Sequence, residues 1–402
     1  MNPFTSTPSK TVYILGAGFS RCAGFPLQAE ILQRADRLGM MDAPLEMFKS
    51  FLMHYDRWRE FRNRTFPIRQ TPTLEEVFTL LDETVSGHGF CSGYSFDKLE
   101  KVTEALRRVI LFVFHVAGEK VSGRSAGFYR SVAAHLLDRR GAAGQGADPL
   151  SVICLNWDCL LEKAIYWCIG QANALKRADI DYCCYTTPLT DTCPHTPSLL
   201  QKAKGLFNFK IMKLHGSANW LLCPNCNRLY TGVGGPERVW EQYVQPQACP
   251  SCQRLLSRET DLKTEDLPQL EPFFITPTFV KIFDNPHIQM TWHNAYVNLG
   301  EATEIVFIGY SLPLADYHFR TLLRRAVRPE ASITVVLTLN DKVKSNTPRH
   351  LRPYFAETRY REFFGSERVM FDFGGMEAYF RRVMGRRRLA DQINLLGRHL
   401  KE

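Results

Sequence analysis

Five short apolar-rich runs punctuate this chain, and each stops abruptly at small or polar residues. Val12–Leu15 stops at Gly16-Ala17-Gly18, Ser151–Leu155 at Asn156-Trp157-Asp158, and Lys210–Leu214 at His215-Gly216-Ser217. Further along, Ile305–Ile308 stops at Gly309-Tyr310-Ser311 and Ile333–Leu339 at Asn340-Asp341. Helical spacing follows the first, second and fourth runs, over 27–38, 159–169 and 315–327. Continuous apolar strands alternating with helices predict a parallel sheet covered on both faces. In an open sheet of that kind the ligand lies outside the C-terminal strand ends. The five ends therefore describe one polar crevice, opened by the glycine turn at Gly16.

A strand, a glycine turn and a helix bring backbone N–H groups together where an anion such as phosphate binds. The turn matches neither of two common phosphate motifs. A dinucleotide fingerprint needs a third glycine where Arg21 stands, and a P-loop needs a Gly-Lys-Ser/Thr ending. A tight turn with no ligand stays open as the plainer reading.

Cysteine usage separates into two kinds. Cys22, Cys91, Cys154, Cys159, Cys168, Cys183, Cys184 and Cys193 are scattered and read as small core residues in a reducing compartment. Cys223-Pro224-Asn225-Cys226 and Cys249-Pro250-Ser251-Cys252 are two CxxC pairs, with Gly232, Gly234, Gly235 and Pro236 between them. That spacing predicts a tetrahedral zinc site with Cys223, Cys226, Cys249 and Cys252 as ligands. Four protein ligands leave no open position, so the zinc is expected to be structural.

Between the first and second strands the chain reads as helical. Leu45–Phe61 has helical spacing, and Thr73-Leu74-Glu75-Glu76 opens a helix to about Val85. Asp97 is read as the cap of a helix that buries Leu99, Val102, Leu106, Val109 and Val113. Phe128–Arg139 forms another helix, followed by a flexible linker from Gly141 to Ala147. The N-terminus lacks a signal-peptide pattern and Val109–Ala117 is too short to span a bilayer, so a cytoplasmic protein with no membrane partner is expected. The net charge of +9 raises the question of nucleic acid. Its basic clusters, Arg57, Arg59, Arg62, Arg64 and Arg69 and then Arg381, Arg382, Arg386, Arg387 and Arg388, come without any nucleic-acid motif and read first as solvated or partner-facing surfaces.

In order, GAGFS, NWD, KLHGS, the paired CxxC module, GYSL and LND resemble the pattern of the sirtuin superfamily across residues 11 to about 341. The segment VFIGYSLPLADYHFRTLLRRA is similar to the divergent bacterial sirtuin-like proteins. The resemblance implies an α/β fold, a Rossmann-like parallel sheet with helices on both faces, a large helical insertion and a small inserted zinc-ribbon module. It divides the chain into the first part of the NAD-binding domain (1–38), the helical insertion (39–140), continuations of that domain (150–222 and 253–375), the zinc module (223–252) and a basic C-terminal helical tail (376–402). It implies that NAD is the substrate. Gly16, Ala17, Gly18 and Ser20 would hold its pyrophosphate, Gly309 and Ser311 the adenosine-side phosphate and ribose, and Asn340 the adenosine ribose. Asn156 and Asp158 would line the nicotinamide ribose, and His215, which alone among the motif residues titrates near neutrality, would be the base.

Three departures separate the chain from sirtuin deacylases. Leu155 replaces a glutamine, Leu27-Gln28-Ala29 follows Pro26 in place of an Asp-Phe-Arg-type loop, and EPFFITPTFVKIF, with Pro277, stands where a peptide-pairing strand is expected. The expected activity is accordingly NAD glycohydrolysis, in the manner of NAD-depleting antiphage effectors. An NAD-dependent protein-lysine deacylase and a non-catalytic NAD or ADP-ribose sensor are the alternatives. Such a hydrolase needs restraint, so a homo-oligomer, a partner ATPase or translocase, or a nucleic-acid trigger is expected. The helical region and the tail GRRRLADQINLLGRHLKE are the candidate contacts.

Overall fold

The computed structural model describes residues 9–38, 46–47, 50–51, 74–85, 94–142, 148–171, 178–189, 207–232, 247–256, 267–275 and 285–385. Outside them lie most of the 45–61 helix, Thr73, the Arg57–Arg69 cluster, linker residues 143–147, Pro277 and the tail 386–402.

The strands are β1 (Thr11–Leu15), β2 (Leu150–Cys154), β3 (Ala178–Asp181), β4 (Thr186–Leu189), β5 (Phe207–Lys213), β6 (Gly216–Leu222), β7 (Leu229–Gly232), β8 (Glu271–Phe274), β9 (Glu304–Ile308), β10 (Ser332–Val336) and β11 (Val369–Asp372). The helices are α1 (Ala17–Ser20), α2 (Ile31–Arg37), α3 (Leu74–Val85), α4 (Phe96–Glu119), α5 (Gly123–Ala142), α6 (Leu160–Gln171), α7 (Pro250–Leu256), α8 (Pro286–Glu301), α9 (Tyr317–Ala326), α10 (Ala356–Phe364) and α11 (Gly375–Met384).

Seven strands form one parallel sheet in the order β11-β10-β9-β1-β2-β5-β3. Along β1 the side chains alternate between two cores. Tyr13 and Leu15 join the core with α4, α5 and α6, while Val12 and Ile14 join the core with α8, α9 and α10. The sheet is thus covered on both faces, which is why its strands read as continuous apolar runs. β1 is the switch point, since the chain builds β2 and β5 on one side of it and β9, β10 and β11 on the other.

Register places the five strand ends in one row. Lys213 pairs with Cys154, Cys154 with Leu15, Leu15 with Ile308, and Ile308 with Val336. Whatever follows those residues emerges along a single edge.

Several boundaries differ from expectation for identifiable reasons. Ser95 rather than Asp97 is the N-cap of α4, and Asp97 sits in its first turn, where a carboxylate favours the helix dipole. β10 ends at Val336, and Leu339–Asp341 turn as a 3-10 helix closed by Thr338 and Asp341. Gly141 and Ala142 complete α5 instead of opening the linker. The edge strands β3 and β11 are short and carry aspartates, so their sequences show no apolar run.

A second sheet, β4-β7-β6-β8, carries the cysteine pairs. Its strands come from Thr186 to Phe274, a wider span than the 223–252 segment, because β6 and β8 pair antiparallel on the far side of the His215 turn. Among the described residues no helix is long and apolar enough to cross a membrane.

Candidate functional site

The glycine turn interlocks with the end of β9. Gly16 donates its N–H to the Ile308 carbonyl at 3.0 Å, and Gly18 donates to the Gly309 carbonyl at 2.9 Å. A Cβ on Gly16 would lie 2.6 Å from the Gly309 oxygen, and one on Gly309 would lie 2.3 Å from the Gly18 carbonyl carbon. Gly309 also has φ +62°, a backbone conformation that glycine adopts without steric penalty. The glycines therefore serve close loop packing, with the amides of Gly16 and Gly18 already engaged. α1, which begins at Ala17, is a single turn, continued by a 3-10 segment over Arg21–Ala23.

Ser20 faces the second strand end. Its hydroxyl donates to Asp158 Oδ2 at 2.7 Å, and both side chains are buried. Asn156 Nδ2 donates to the Gly16 carbonyl at 2.9 Å and to Ser20 Oγ at 3.3 Å. Asp158 Oδ1 accepts the Leu160 N–H at 3.1 Å at the start of α6, as the helix-cap reading expects, while its Oδ2 faces Ser20. Two sequence motifs, GAGFS and NWD, thus become one hydrogen-bonded group.

His215 stands in the turn between β5 and β6. Its Nδ1 is 3.2 Å from the Leu155 carbonyl. A carbonyl can only accept, so this contact assigns the proton to Nδ1 and directs Nε2 elsewhere. Nε2 lies 3.8 Å from Asp316 Oδ1, and the imidazole is 14% exposed. The Ile275 N–H donates to the His215 carbonyl, and Trp292 Nε1 donates to that of Leu214 at 2.9 Å. Asp316 was not singled out from sequence, although it lies within GYSLPLAD. It is the N-cap of α9, and Tyr310 donates its hydroxyl to Asp316 Oδ2 at 2.8 Å. Burial and the Asp316 carboxylate hold the Tyr310 phenol well above its ordinary value, so it remains a donor.

The β9 and β10 end of the row of strand ends is exposed. Ser311 and Asn340 are exposed, and Arg359 Nε donates to the Ser311 carbonyl at 2.9 Å. Tyr360 donates its hydroxyl to the Tyr310 carbonyl at 2.9 Å, tying this loop to α10. Cys154 and Cys159 flank the Asn156–Asp158 turn, but burial pushes both thiols up to about 12, which leaves neither as a nucleophile at neutral pH.

Cys223, Cys226, Cys249 and Cys252 offer Sγ atoms all within 4.8 Å of one another, with Cys223–Cys252 at 3.7 Å and Cys226–Cys249 at 3.8 Å. Tetrahedral zinc with Zn–S bonds of about 2.3 Å separates its sulfurs by about 3.8 Å, so the donor set and spacing fit that ion. Asn227, at φ +54°, bends the first knuckle, and Tyr230 lies 3.5 Å from Cys249 Sγ. The outlying cysteines divide: Cys154, Cys159, Cys168, Cys183 and Cys184 are buried, whereas Cys22 is exposed.

No family model matches the chain, and no curated protein does. Several solved structures are similar. A sirtuin studied for its substrate affinity is 14% identical, with 93% of each chain covered and a TM-score of 0.41. Sir2 with a p53 peptide and NAD+ is 14% identical over 93% of this chain and 92% of that one, with a TM-score of 0.40. A mutant Sir2 homologue in complex with ADP-ribose is 13% identical over 98% and 95%, with a TM-score of 0.39.

Proposed function

We propose that this chain is an NAD glycohydrolase, which breaks the bond between nicotinamide and ribose C1′ with water to give nicotinamide and ADP-ribose. The observation that carries the reading is the meeting of Ser20, Asn156 and Asp158 in one buried group, with His215 on the neighbouring strand end. The bond's electron pair leaves with the nicotinamide ring, neutralising its charge and leaving an oxocarbenium-like ribose. Such a step needs orientation and a base of near-neutral pKa rather than a strong acid. Asn156 and Asp158 orient the ribose, and Nε2 of His215 takes the proton from the attacking water or through a ribose hydroxyl. Gly309, Ser311 and Asn340 line the adenosine end. Zinc in the four-cysteine cluster supports the fold and takes no part in the chemistry.

The resemblance to divergent bacterial sirtuin-like proteins extends this to an effector of antiphage defence in the cytoplasm, restrained by oligomerisation, a partner ATPase or translocase, or nucleic acid. A protein-lysine deacylase is the second reading. β8 favours it, since among the described residues this strand is an edge of its sheet, and an extended peptide pairs with such an edge.

The test is NAD loss and nicotinamide release by the purified chain, with and without an acetyl-lysine peptide, beside Asn156→Ala and His215→Ala. Peptide-independent loss abolished by both substitutions supports the hydrolase. Turnover only with peptide replaces it with the deacylase, and ADP-ribose binding without turnover in either case makes the chain a sensor.

A further inference from the structure

Beneath the site lies a buried cation that the proposed chemistry does not use. Lys213 is the last residue of β5 and its side chain is 0% exposed, while Glu162, in the first turn of α6, is 2% exposed. Nζ of Lys213 is 3.1 Å from Glu162 Oε1 and donates to the Asp158 carbonyl at 2.5 Å. Lysine and glutamate are almost never so fully enclosed unless paired, because water solvates each charge far better than a protein interior does. A pair of apolar side chains would fill the same space with less penalty. What the apolar pair lacks is a donor for the Asp158 carbonyl.

That donor completes the hold on one residue. The Asp158 carboxylate is fixed by Ser20 and by the Leu160 N–H, and its backbone is fixed by Lys213. Lys213 is also paired in register with Cys154, and each of these residues stands two positions before a site residue, His215 and Asn156 respectively. We infer that Lys213 is a positioning residue that ties the Asn156–Asp158 turn to the strand end bearing His215, so that the base and the ribose-orienting pair keep a fixed separation. This rests on the NAD-cleaving reading above. Being wholly enclosed, Lys213 acts through Asp158 and touches no substrate. Burial opposes charge on both partners. On Lys213 the Glu162 and Asp158 carboxylates oppose that penalty and raise its pKa, so the ammonium form persists. Burial raises the Glu162 carboxyl, with Lys213 the main group opposing it.

The experiment compares the full chain with Lys213→Met, the double variant Lys213→Met/Glu162→Leu, and Glu162→Gln. Each is read by thermal midpoint, by kcat and KM for NAD, and by amide hydrogen exchange across residues 156–160. The single Lys213→Met leaves a buried acid without its partner and loses midpoint and activity together. The double variant carries no unpaired charge and recovers its midpoint. It is nevertheless expected to keep a kcat at least about tenfold low with KM within about threefold, and exchange across 156–160 at least about tenfold faster. A double variant with wild-type kcat and exchange overturns the inference and makes the pair a space-filling one. If the double variant does not fold, Glu162→Gln decides: it keeps the Lys213–Asp158 bond, and a kcat loss of about threefold or less supports the assignment. A loss beyond about tenfold moves the positioning to Glu162 and overturns it. Exchange is read without NAD, so a wild-type chain that neither binds nor cleaves NAD overturns the proposed function while unaltered exchange in the variants overturns the tether.

Discussion

The two sides of the crevice are built on different terms. On the β2 and β5 side, Ser20, Asn156 and Asp158 are buried and bonded to one another, and His215 is held by the Leu155 carbonyl. On the β9 and β10 side, Ser311 and Asn340 are exposed; Arg359 and Tyr360 hold the carbonyls of the Tyr310–Ser311 loop, and Thr338 and Asp341 close the turn that carries Asn340. The first side is held together by its own hydrogen bonds, and under the proposed function that is what bond cleavage would require of groups that must not reorganise in the transition state. The second side offers polar groups whose partners the ligand itself would supply. Chemistry and binding are thus expected to separate under mutation.

The largest expected effect is on the organised side. Asn156→Ala and His215→Ala should each lower kcat for NAD cleavage by about 100- to 10,000-fold while leaving ADP-ribose affinity near wild type, as read by turnover and calorimetry. An equal loss of affinity would erase the distinction between the sides. Next comes the joint where they touch. Gly309→Ala places a Cβ 2.3 Å from the Gly18 carbonyl carbon at φ +62°, and a stability loss of ~3 kcal/mol is expected in denaturant titration, with both turnover and binding impaired.

Removing the metal should act on one side alone. His287 Nε2 contacts the Asn227 carbonyl at 2.9 Å beside the first knuckle, and five residues later on α8 Trp292 holds the Leu214 carbonyl. Strong chelation should release one zinc per chain and lower kcat by about 2- to 30-fold, the range of ordinary coupling through packed elements, without weakening ADP-ribose binding. The smallest effect belongs to the open side. Asn340→Ala should raise KM about fivefold with kcat unchanged, the loss of roughly one hydrogen bond of about 1 kcal/mol, and a fall in kcat would place Asn340 with the chemistry instead.

Much of the fold was legible because its signals are local. The runs at Val12–Leu15 and Ile305–Ile308 and the paired CxxC motifs read correctly for that reason. β3 and β11 did not, since an edge strand of four residues with aspartate at its end carries too few apolar positions to show a period. The sequence names the candidate site residues but not their partners. The resemblance implies that Ser20 is a pyrophosphate contact, and in the fold its hydroxyl donates to Asp158, while Asp316 passed as part of a helix start although its carboxylate faces His215.

The sequence by itself determined where β1 and β9 stop and which residues stand at their ends, because both depend on a few neighbouring positions. It also determined the four-cysteine cluster, since the CxxC spacing bends each thiolate pair toward one point. Only the tertiary structure decided that Lys213 would meet the Asp158 carbonyl 55 residues away, that His215 would meet Leu155 at 60, and that Gly16 would be closed against Gly309. Those pairings follow from the register of parallel strands, whose order around β1 is set by how helices pack on both faces of the sheet, and no local pattern encodes that order.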